Sequence, residues 1–230
     1  MLGIDDPSRI SGAITADGKN VLPVSKRYHR HAYHVAKRTF DVLASAVGLI
    51  VLFPVFLVVS ILVAFSSGLP VMFKQQRVGF RGRPFFIYKF RTMVRNAEQI
   101  LKDRPELLEE YRLNFKIEND PRISKVGHFL RKSSLDELPQ LINVIKGDMS
   151  LVGPRPIVIP ELEKYGDDQE MYMAMRPGCT GLWQCGGRSA TSYEERVALD
   201  KEYFQKAGLR FDLFILFKTV FAIFTARGAR

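Results

Sequence analysis

Cysteine is almost absent from this chain. Only Cys179 and Cys185 occur in 230 residues, and their C-x5-C spacing fits neither a redox pair nor a zinc knuckle. Two small apolar side chains in a reducing compartment is the plain reading. No C-x-x-C, H-E-x-x-H or D-x-D occurs, so the usual thiol, zinc-peptidase and paired-aspartate metal signatures are missing. Gly12, Gly18 and Lys19 outline a phosphate-binding loop, but five residues rather than four separate the glycines, and Asn20 stands where Ser or Thr is needed. Acidic residues are few: 24 Asp and Glu face 34 Lys and Arg, for a net charge of +10. Between Val42 and Ala97 there is no acid at all, against seven Lys or Arg. Such an excess implies an anionic partner, whether nucleic acid, a membrane surface or a phosphorylated substrate. No cleavable leader is expected, because the first apolar run begins only at Val42.

What is present is enough for a small domain with an anchor. Residues 1–24 are rich in Gly, Ser, Asp and Pro without periodicity and read as a flexible tail. Residues 25–66 read as a basic interfacial strip followed by a membrane element. Lys26 to Arg38 carries His29, His31 and His34; a strip lying on anionic headgroups outweighs a histidine metal site. Lys37 and Asp41 have the spacing of a helical ion pair. Val42 to Phe65 then runs 24 residues without a charge. As one straight helix it spans about 36 Å, enough for a hydrocarbon core of about 30 Å. Pro54 sits at its midpoint and breaks it. Basic residues flank both ends, with Lys26, Arg27, Arg30, Lys37 and Arg38 before and Lys74, Arg77, Arg81 and Arg83 after, so the positive-inside rule places both ends on the cytosolic side. A kinked span and a re-entrant hairpin both fit the run; the matched flanks favour the hairpin.

Residues 67–230 read as a mixed cytosolic domain, giving an α+β fold overall. Val71-Met72-Phe73 and Phe85-Phe86-Ile87-Tyr88 read as short strands joined by a turn at Gly79 and Gly82. Arg95 to Leu113 reads as a solvated helix restarted at Pro105. Phe211 to Ala226 is apolar apart from Asp212 and Lys218, too short and too polar to span, and reads as an interfacial helix or one packed on the anchor.

Three segments carry candidate chemistry. In Leu130 to Val144, Ser134 and Glu137 have capping-box spacing and Pro139 suits a first helical turn. Asp136 is therefore expected at a helix N-terminus, where backbone N–H groups and the dipole favour its ionised form. Such a carboxylate suits a divalent metal or attack on phosphorus, with Glu137 as a base; two acids that merely cap a helix is the competing reading. In Gly147 to Pro156, two prolines bracket Arg155, which makes sense for an arginine that must meet a phosphate. Arg176 to Arg188 is glycine-rich, with Trp183 and Gln184, and reads either as a seat for a base or sugar or as a tight structural loop.

In combination these segments closely resemble the bacterial sugar transferase family, the monotopic phosphoglycosyl transferases. The matching stretches are Lys37-Arg38-x-Phe40-Asp41, Tyr88-Lys89-Phe90-Arg91-Thr92-Met93, Leu130-Arg131 through Asp136-Glu137-Leu138-Pro139-Gln140-Leu141, Gly147-Asp148-Met149-Ser150 through Gly153-Pro154-Arg155-Pro156, and Arg176-Pro177-Gly178 through Gly187-Arg188. They run in unchanged order over some 190 residues, and the chain looks most like the short exopolysaccharide initiation enzymes that load galactose or glucose phosphate. Many members read Ser-Pro at the helix break and Asn or Ser ahead of the Gly-Arg pair, with Asn after it; here those positions are Phe53-Pro54, Gly186 and Ser189.

The resemblance implies transfer of sugar-1-phosphate from a UDP-sugar, UDP-galactose or UDP-glucose, to undecaprenyl phosphate at the cytosolic face of the bacterial inner membrane, starting exopolysaccharide synthesis. It implies Asp136 as nucleophile and Mg²⁺ contact, a phosphosugar-enzyme intermediate on Asp136, and Glu137 as the base. Arg155 and Arg131 clamp phosphates on this reading, with Lys89, Arg91, Gln184 and Arg188 as further substrate contacts. Membrane lipid is an expected partner, nucleic acid is not, and an oligomer is compatible with it. Two rival classes remain to be weighed: a basic nucleic-acid-binding protein, which needs no apolar run, and a non-catalytic basic scaffold of a polysaccharide assembly complex, which leaves Asp136-Glu137 and Arg155 without a purpose.

Overall fold

The computed structural model describes residues 31–114, 117, 119–186 and 192–224. The tail over 1–24, the start of the basic strip with His29, and Arg188 lie outside the described residues.

The apolar run folds as two helices, α1 (His31–Val51) and α2 (Phe53–Ser67), bent by 64°. The break falls at Leu52, two residues before the proline expected to mark it. The reason is local. Pro54 has no N–H for the Ile50 carbonyl and its ring crowds that carbonyl, so the chain turns just ahead of it. Pro54 then occupies the first turn of α2, where the missing donor costs nothing. The ladder resumes with Phe56 N donating to Leu52 O at 2.9 Å. No single helix among the described residues is long and apolar enough to cross a membrane; the bent pair meets the length and composition together.

The basic hairpin follows as expected. Strands β1 (Met72–Val78) and β2 (Pro84–Phe90) pair antiparallel, Met72 opposite Phe90 and Val78 opposite Pro84, around a 3-10 turn over Phe80–Gly82. The solvated helical region divides at Pro105 into α3 (Ala97–Lys102) and α4 (Pro105–Asn114). Then come α5 (Lys125–Ser133), a 3-10 turn over Leu135–Glu137, and α6 (Gln140–Lys146). Two three-residue strands, β3 (Ser150–Val152) and β4 (Gly178–Thr180), pair in parallel around a long 3-10 segment, Ile159–Asp168, and α7 (Gln169–Met173). Helices α8 (Leu182–Gly186), α9 (Tyr193–Lys206) and α10 (Leu209–Phe224) complete a mixed α and β architecture. Helix α10 begins two residues earlier than the apolar pattern suggested, and 225–226 lie outside the described residues.

The bent helix pair is bolted to the rest of the chain by polar contacts. Arg38 donates to the Val144 and Ile145 carbonyls at 2.5 and 2.9 Å, meeting the negative end of α6. Lys37 sits 3.9 Å from Asp41, as its spacing predicts, but closer to Asp212 on α10, at 3.2 Å. Tyr33 and Tyr203 donate to the two Asp212 oxygens at 2.9 and 2.7 Å, and Ser150 donates to Asp41 at 2.7 Å. Buried acids are tolerable because each is paired in this way. Along α2, Val59 and Val63 pack with Phe90 and Leu130 in one apolar cluster, against which Leu135 leans. Burying each of these side chains contributes about 1.5–3 kcal/mol. That cluster fixes the turn carrying Asp136 against α2. Outward, Ile50, Phe53, Leu57, Phe65, Phe217 and Phe221 remain exposed on α1, α2 and α10, far more apolar surface than a helix facing water carries.

Candidate functional site

Ser134 is where local sequence reasoning and structure part. Its spacing to Glu137 predicts a capping box, but Ser134 adopts a left-handed conformation, φ 58°, as the C-cap of α5, and its side chain caps nothing. Two backbone carbonyls, of Arg131 and Leu130, receive its N–H instead. The chain then tightens into the Leu135–Glu137 turn, and Pro139 precedes α6 as its N-cap. Asp136 is therefore in a 3-10 turn between two helices rather than at the start of a regular one.

That placement buries Asp136 to 8% exposure while Glu137 keeps its side chain 41% exposed. Their titration diverges accordingly. Burial and the adjacent Glu137 charge push Asp136 up to about 6, against the pull of Lys89 and Arg131. The dipole-favoured ionisation expected from the sequence is thus outweighed by desolvation. Burial also acts to raise Glu137, but the Lys89 ammonium, its hydrogen bond, and the Arg155 and Arg77 charges overcome it and lower the pKa. Lys89 Nζ donates to Glu137 Oε1 at 2.6 Å.

The cations arrive from four elements. Lys89 comes from β2, whose edge is held by a buried amide: Asn143 on α6 accepts from Tyr88 N at 2.9 Å and donates to Phe86 O at 2.7 Å. Arg131 comes from the last turn of α5 and donates to Thr92 Oγ1 at 3.0 Å. Arg155 lies in the loop after β3. That loop is pinned by Gly178 N donating to Pro154 O at 2.8 Å and by Tyr172 OH donating to Arg155 O at 2.9 Å. The backbone approach there is so close that a Cβ on Gly153 would meet Arg176 O at 2.3 Å, so only glycine fits. Arg77, on β1, is held by Pro156 O at 3.0 Å and by Gln75 at 2.6 Å.

Among the sequence candidates, Asp136, Glu137, Lys89, Arg131 and Arg155 are therefore brought into one electrostatic cluster. Arg91 is directed elsewhere, its Nη1 donating to Leu69 O at 3.3 Å just past α2. Gln184 lies on α8 against Gly181, one residue from Trp183. Arg77, Asn143 and Glu161 were not singled out from sequence. Glu161 is 2% exposed, accepts from Arg155 at 3.3 Å and from Val158 N at 3.0 Å, and lies 3.7 Å from Arg77. One signal was available for it: the first acid after Arg155, six residues on, at the end of an apolar stretch.

No group of three or more His, Cys, Asp or Glu able to hold a metal occurs among the described residues. Asp136 with Glu137 is a two-carboxylate donor set, in which burial and the neighbouring Glu137 charge raise the Asp136 pKa to about 6. Such a set suits Mg²⁺, which takes one or two carboxylates and completes its shell with water and substrate phosphate oxygens. Cys185 is buried, its thiol donating to Leu182 O at 3.3 Å, and Cys179 is partly buried.

The family model for bacterial sugar transferases matches residues 32–226. The exopolysaccharide production protein ExoY of Rhizobium meliloti (strain 1021) is 48% identical over 199 residues, 85% of this chain and 88% of that protein. The undecaprenyl-phosphate galactose phosphotransferase of Salmonella typhimurium is 45% identical over 213 residues, 91% of this chain but 44% of the relative. The UDP-glucose:undecaprenyl-phosphate glucose-1-phosphate transferase of Escherichia coli (strain K12) is 36% identical over 222 residues, 93% of this chain and 45% of the relative. The chain thus spans less than half the length of the last two and most of the length of the first.

Proposed function

The chain belongs to the bacterial sugar transferase family, and from that premise we propose that it transfers sugar-1-phosphate from UDP-galactose or UDP-glucose to undecaprenyl phosphate, the first step of exopolysaccharide synthesis. The observation that carries the reading is an adjacent pair of carboxylates under four cations: Lys89 and Arg131 act on the buried Asp136, and Lys89, Arg155 and Arg77 act on Glu137. A non-catalytic scaffold has no use for such a cluster, whereas a diphosphate under attack needs it.

In the first half-reaction an ionised Asp136 oxygen attacks the phosphorus that bears the sugar. The bond to the bridging oxygen breaks, its electron pair leaves with UMP, and an acyl phosphate joins Asp136 to the sugar. In the second, an undecaprenyl phosphate oxygen attacks the same phosphorus and the Asp136 carboxylate departs. Glu137, held low by Lys89, accepts the proton from the incoming phosphate. Arg131 and Arg155 bind non-bridging oxygens through both phases. Mg²⁺, bound at Asp136, would supply further charge neutralisation on the diphosphate.

The anchor serves the same chemistry. With both flanks basic and a 64° bend at Leu52, α1 and α2 enter and leave one leaflet, keeping the catalytic domain on the cytosolic face. The exposed apolar side of α10 lies along the interface beside them. Because Leu135 packs on the cluster that includes Val59 and Val63, Asp136 is held near the headgroup depth of the lipid substrate.

The experiment is a trapping assay on the full chain in native membranes or nanodiscs, given UDP-galactose labelled in the sugar, then UDP-glucose. Label is expected on the protein before lipid is added, and on lipid after undecaprenyl phosphate is supplied. Transfer by Asp136→Asn at the parent's rate would remove the nucleophile assignment.

A further inference from the structure

The positive cluster does not end at Arg155. Arg196, in the first turn of α9, carries its guanidinium 4.8 Å from the centroid of the Trp183 ring, and Arg155 approaches the same ring at 5.8 Å. One acid, Glu161, is shared among three arginines: it bonds Arg155, lies 3.7 Å from Arg77, and its charge acts on Arg196. Its oxygens are already engaged, Oε1 by Arg155 and Oε2 by Val158 N. Three guanidiniums therefore crowd the one carboxylate ion-paired with them, Glu161, and the patch keeps a positive excess although the Arg155 charge also acts on the Asp200 carboxyl. It also holds donors without acceptors. Arg77 Nε, Arg196 Nε and Trp183 Nε1 are buried with no hydrogen-bond partner among the described residues. Buried donors are rarely left so, because each forfeits its hydration. A surplus of charge together with idle donors, next to an aromatic ring, is what a phosphate-bearing, acceptor-rich ligand completes.

On the transfer mechanism above, Arg155 also holds an oxygen of the transferred phosphate, so an anion between Arg155 and Arg196 occupies the next phosphate of the diphosphate. We propose that Arg155, Arg196 and Trp183 form the seat of the departing nucleoside monophosphate, with Arg196 binding the phosphate on which charge accumulates. This rests on the sugar-phosphate transfer described above. As the Asp136–phosphorus bond forms and the bridging bond breaks, the released electron pair resides on the nucleoside phosphate, and Arg196 stabilises that dianion while Trp183 Nε1 donates to the same ligand. Arg196 is a binding residue for the leaving group, separate from the residues that hold the transferred phosphate.

Trp183 is the chain's single tryptophan, so its fluorescence reports directly on the patch. The full chain in nanodiscs is titrated with UMP, uridine and inorganic phosphate. UMP is expected to change the emission saturably, and uridine to bind far more weakly than UMP. Arg196→Gln is expected to weaken UMP about tenfold or more, the loss of a charged hydrogen bond, and to weaken UMP product inhibition in parallel. Arg196→Lys, which keeps the charge, recovers part of the affinity and serves in place of the glutamine variant if that one fails to fold. If folded Arg196→Gln binds UMP as the parent does while the parent still transfers sugar phosphate, the seat lies elsewhere and the reaction stands. If the parent neither cleaves UDP-galactose or UDP-glucose nor binds UMP, both the reaction and the seat are overturned.

Discussion

Lys89 Nζ lies 2.6 Å from Glu137 Oε1, across 48 residues of sequence. The contact divides the work of the adjacent acids. Glu137 is neutralised and stays ionised, and the buried Asp136 takes the electrostatic cost of its neighbour's charge. Lys89→Met removes the main cation acting on both. The acid limb of the kcat/KM profile should move to higher pH, with a loss of about 10- to 100-fold near neutrality. A pH–rate profile measured against UDP-sugar checks it.

On the proposed mechanism Asp136 attacks only as the carboxylate, and burial with the Glu137 charge holds its proton up to about 6. Activity of the parent should therefore be level above about pH 7 and fall about tenfold per pH unit below about pH 6. Asp136→Asn should lose roughly 10³-fold or more at every pH while keeping the parent's melting temperature. An asparagine variant with an unchanged acid limb and appreciable rate would contradict this.

Glu161 is buried and shared by Arg77 and Arg155. Removing one partner of a buried ion cluster leaves uncompensated charge and costs about 3–5 kcal/mol. Glu161→Gln should lower the melting temperature markedly and raise KM for the nucleotide sugar more than it lowers kcat, because Arg155 loses its orientation. Thermal unfolding and initial-rate kinetics on the same preparation separate the two effects.

Asp200 is buried midway along α9 and accepts from Tyr165 OH at 2.8 Å; burial raises its pKa to about 7. A raised carboxyl pKa means the folded state binds the proton more tightly than the unfolded one. Stability from this group is greatest below the unfolded value of about 4, falls as pH rises from there to about 7, and is level above. Asp200→Asn should lessen that decline, read as melting temperature against pH, with the variant's slope shallower than the parent's.

Membrane topology is tested by single cysteines at Val35 and Leu69, both exposed at the two ends of the bent pair, in a chain with Cys179 and Cys185 replaced by Ala. Both positions should react with an impermeant maleimide only from the cytosolic side of inverted vesicles. Labelling from opposite sides identifies a span.

Much of the architecture was legible because it is written at short range. The charge-free run, the two strands about Gly79 and Gly82, and the helix restart at Pro105 follow from period, turn chemistry and the missing proline N–H. Even the displacement of the break to Leu52 is a local effect of Pro54 on the Ile50 carbonyl. Ser134 shows where such reasoning ends. Capping-box spacing was present, but packing of Leu135 against α2 and α5 drew the chain into a left-handed turn that no local pattern announces.

By itself, then, the sequence determined the charge-free bent helix pair, the basic hairpin, the Asp136-Glu137 pair and the order of the motifs, each set by neighbours a few residues away. Only the tertiary structure decided which cations meet that pair. It gave Lys89 to Glu137, turned Arg91 to the Leu69 carbonyl, and gathered Arg77, Glu161, Trp183 and Arg196 around Arg155. The physical reason is that charge balance and desolvation depend on distances through space. Those distances are set by burying apolar clusters from residues tens to more than a hundred positions apart, and no local period records them.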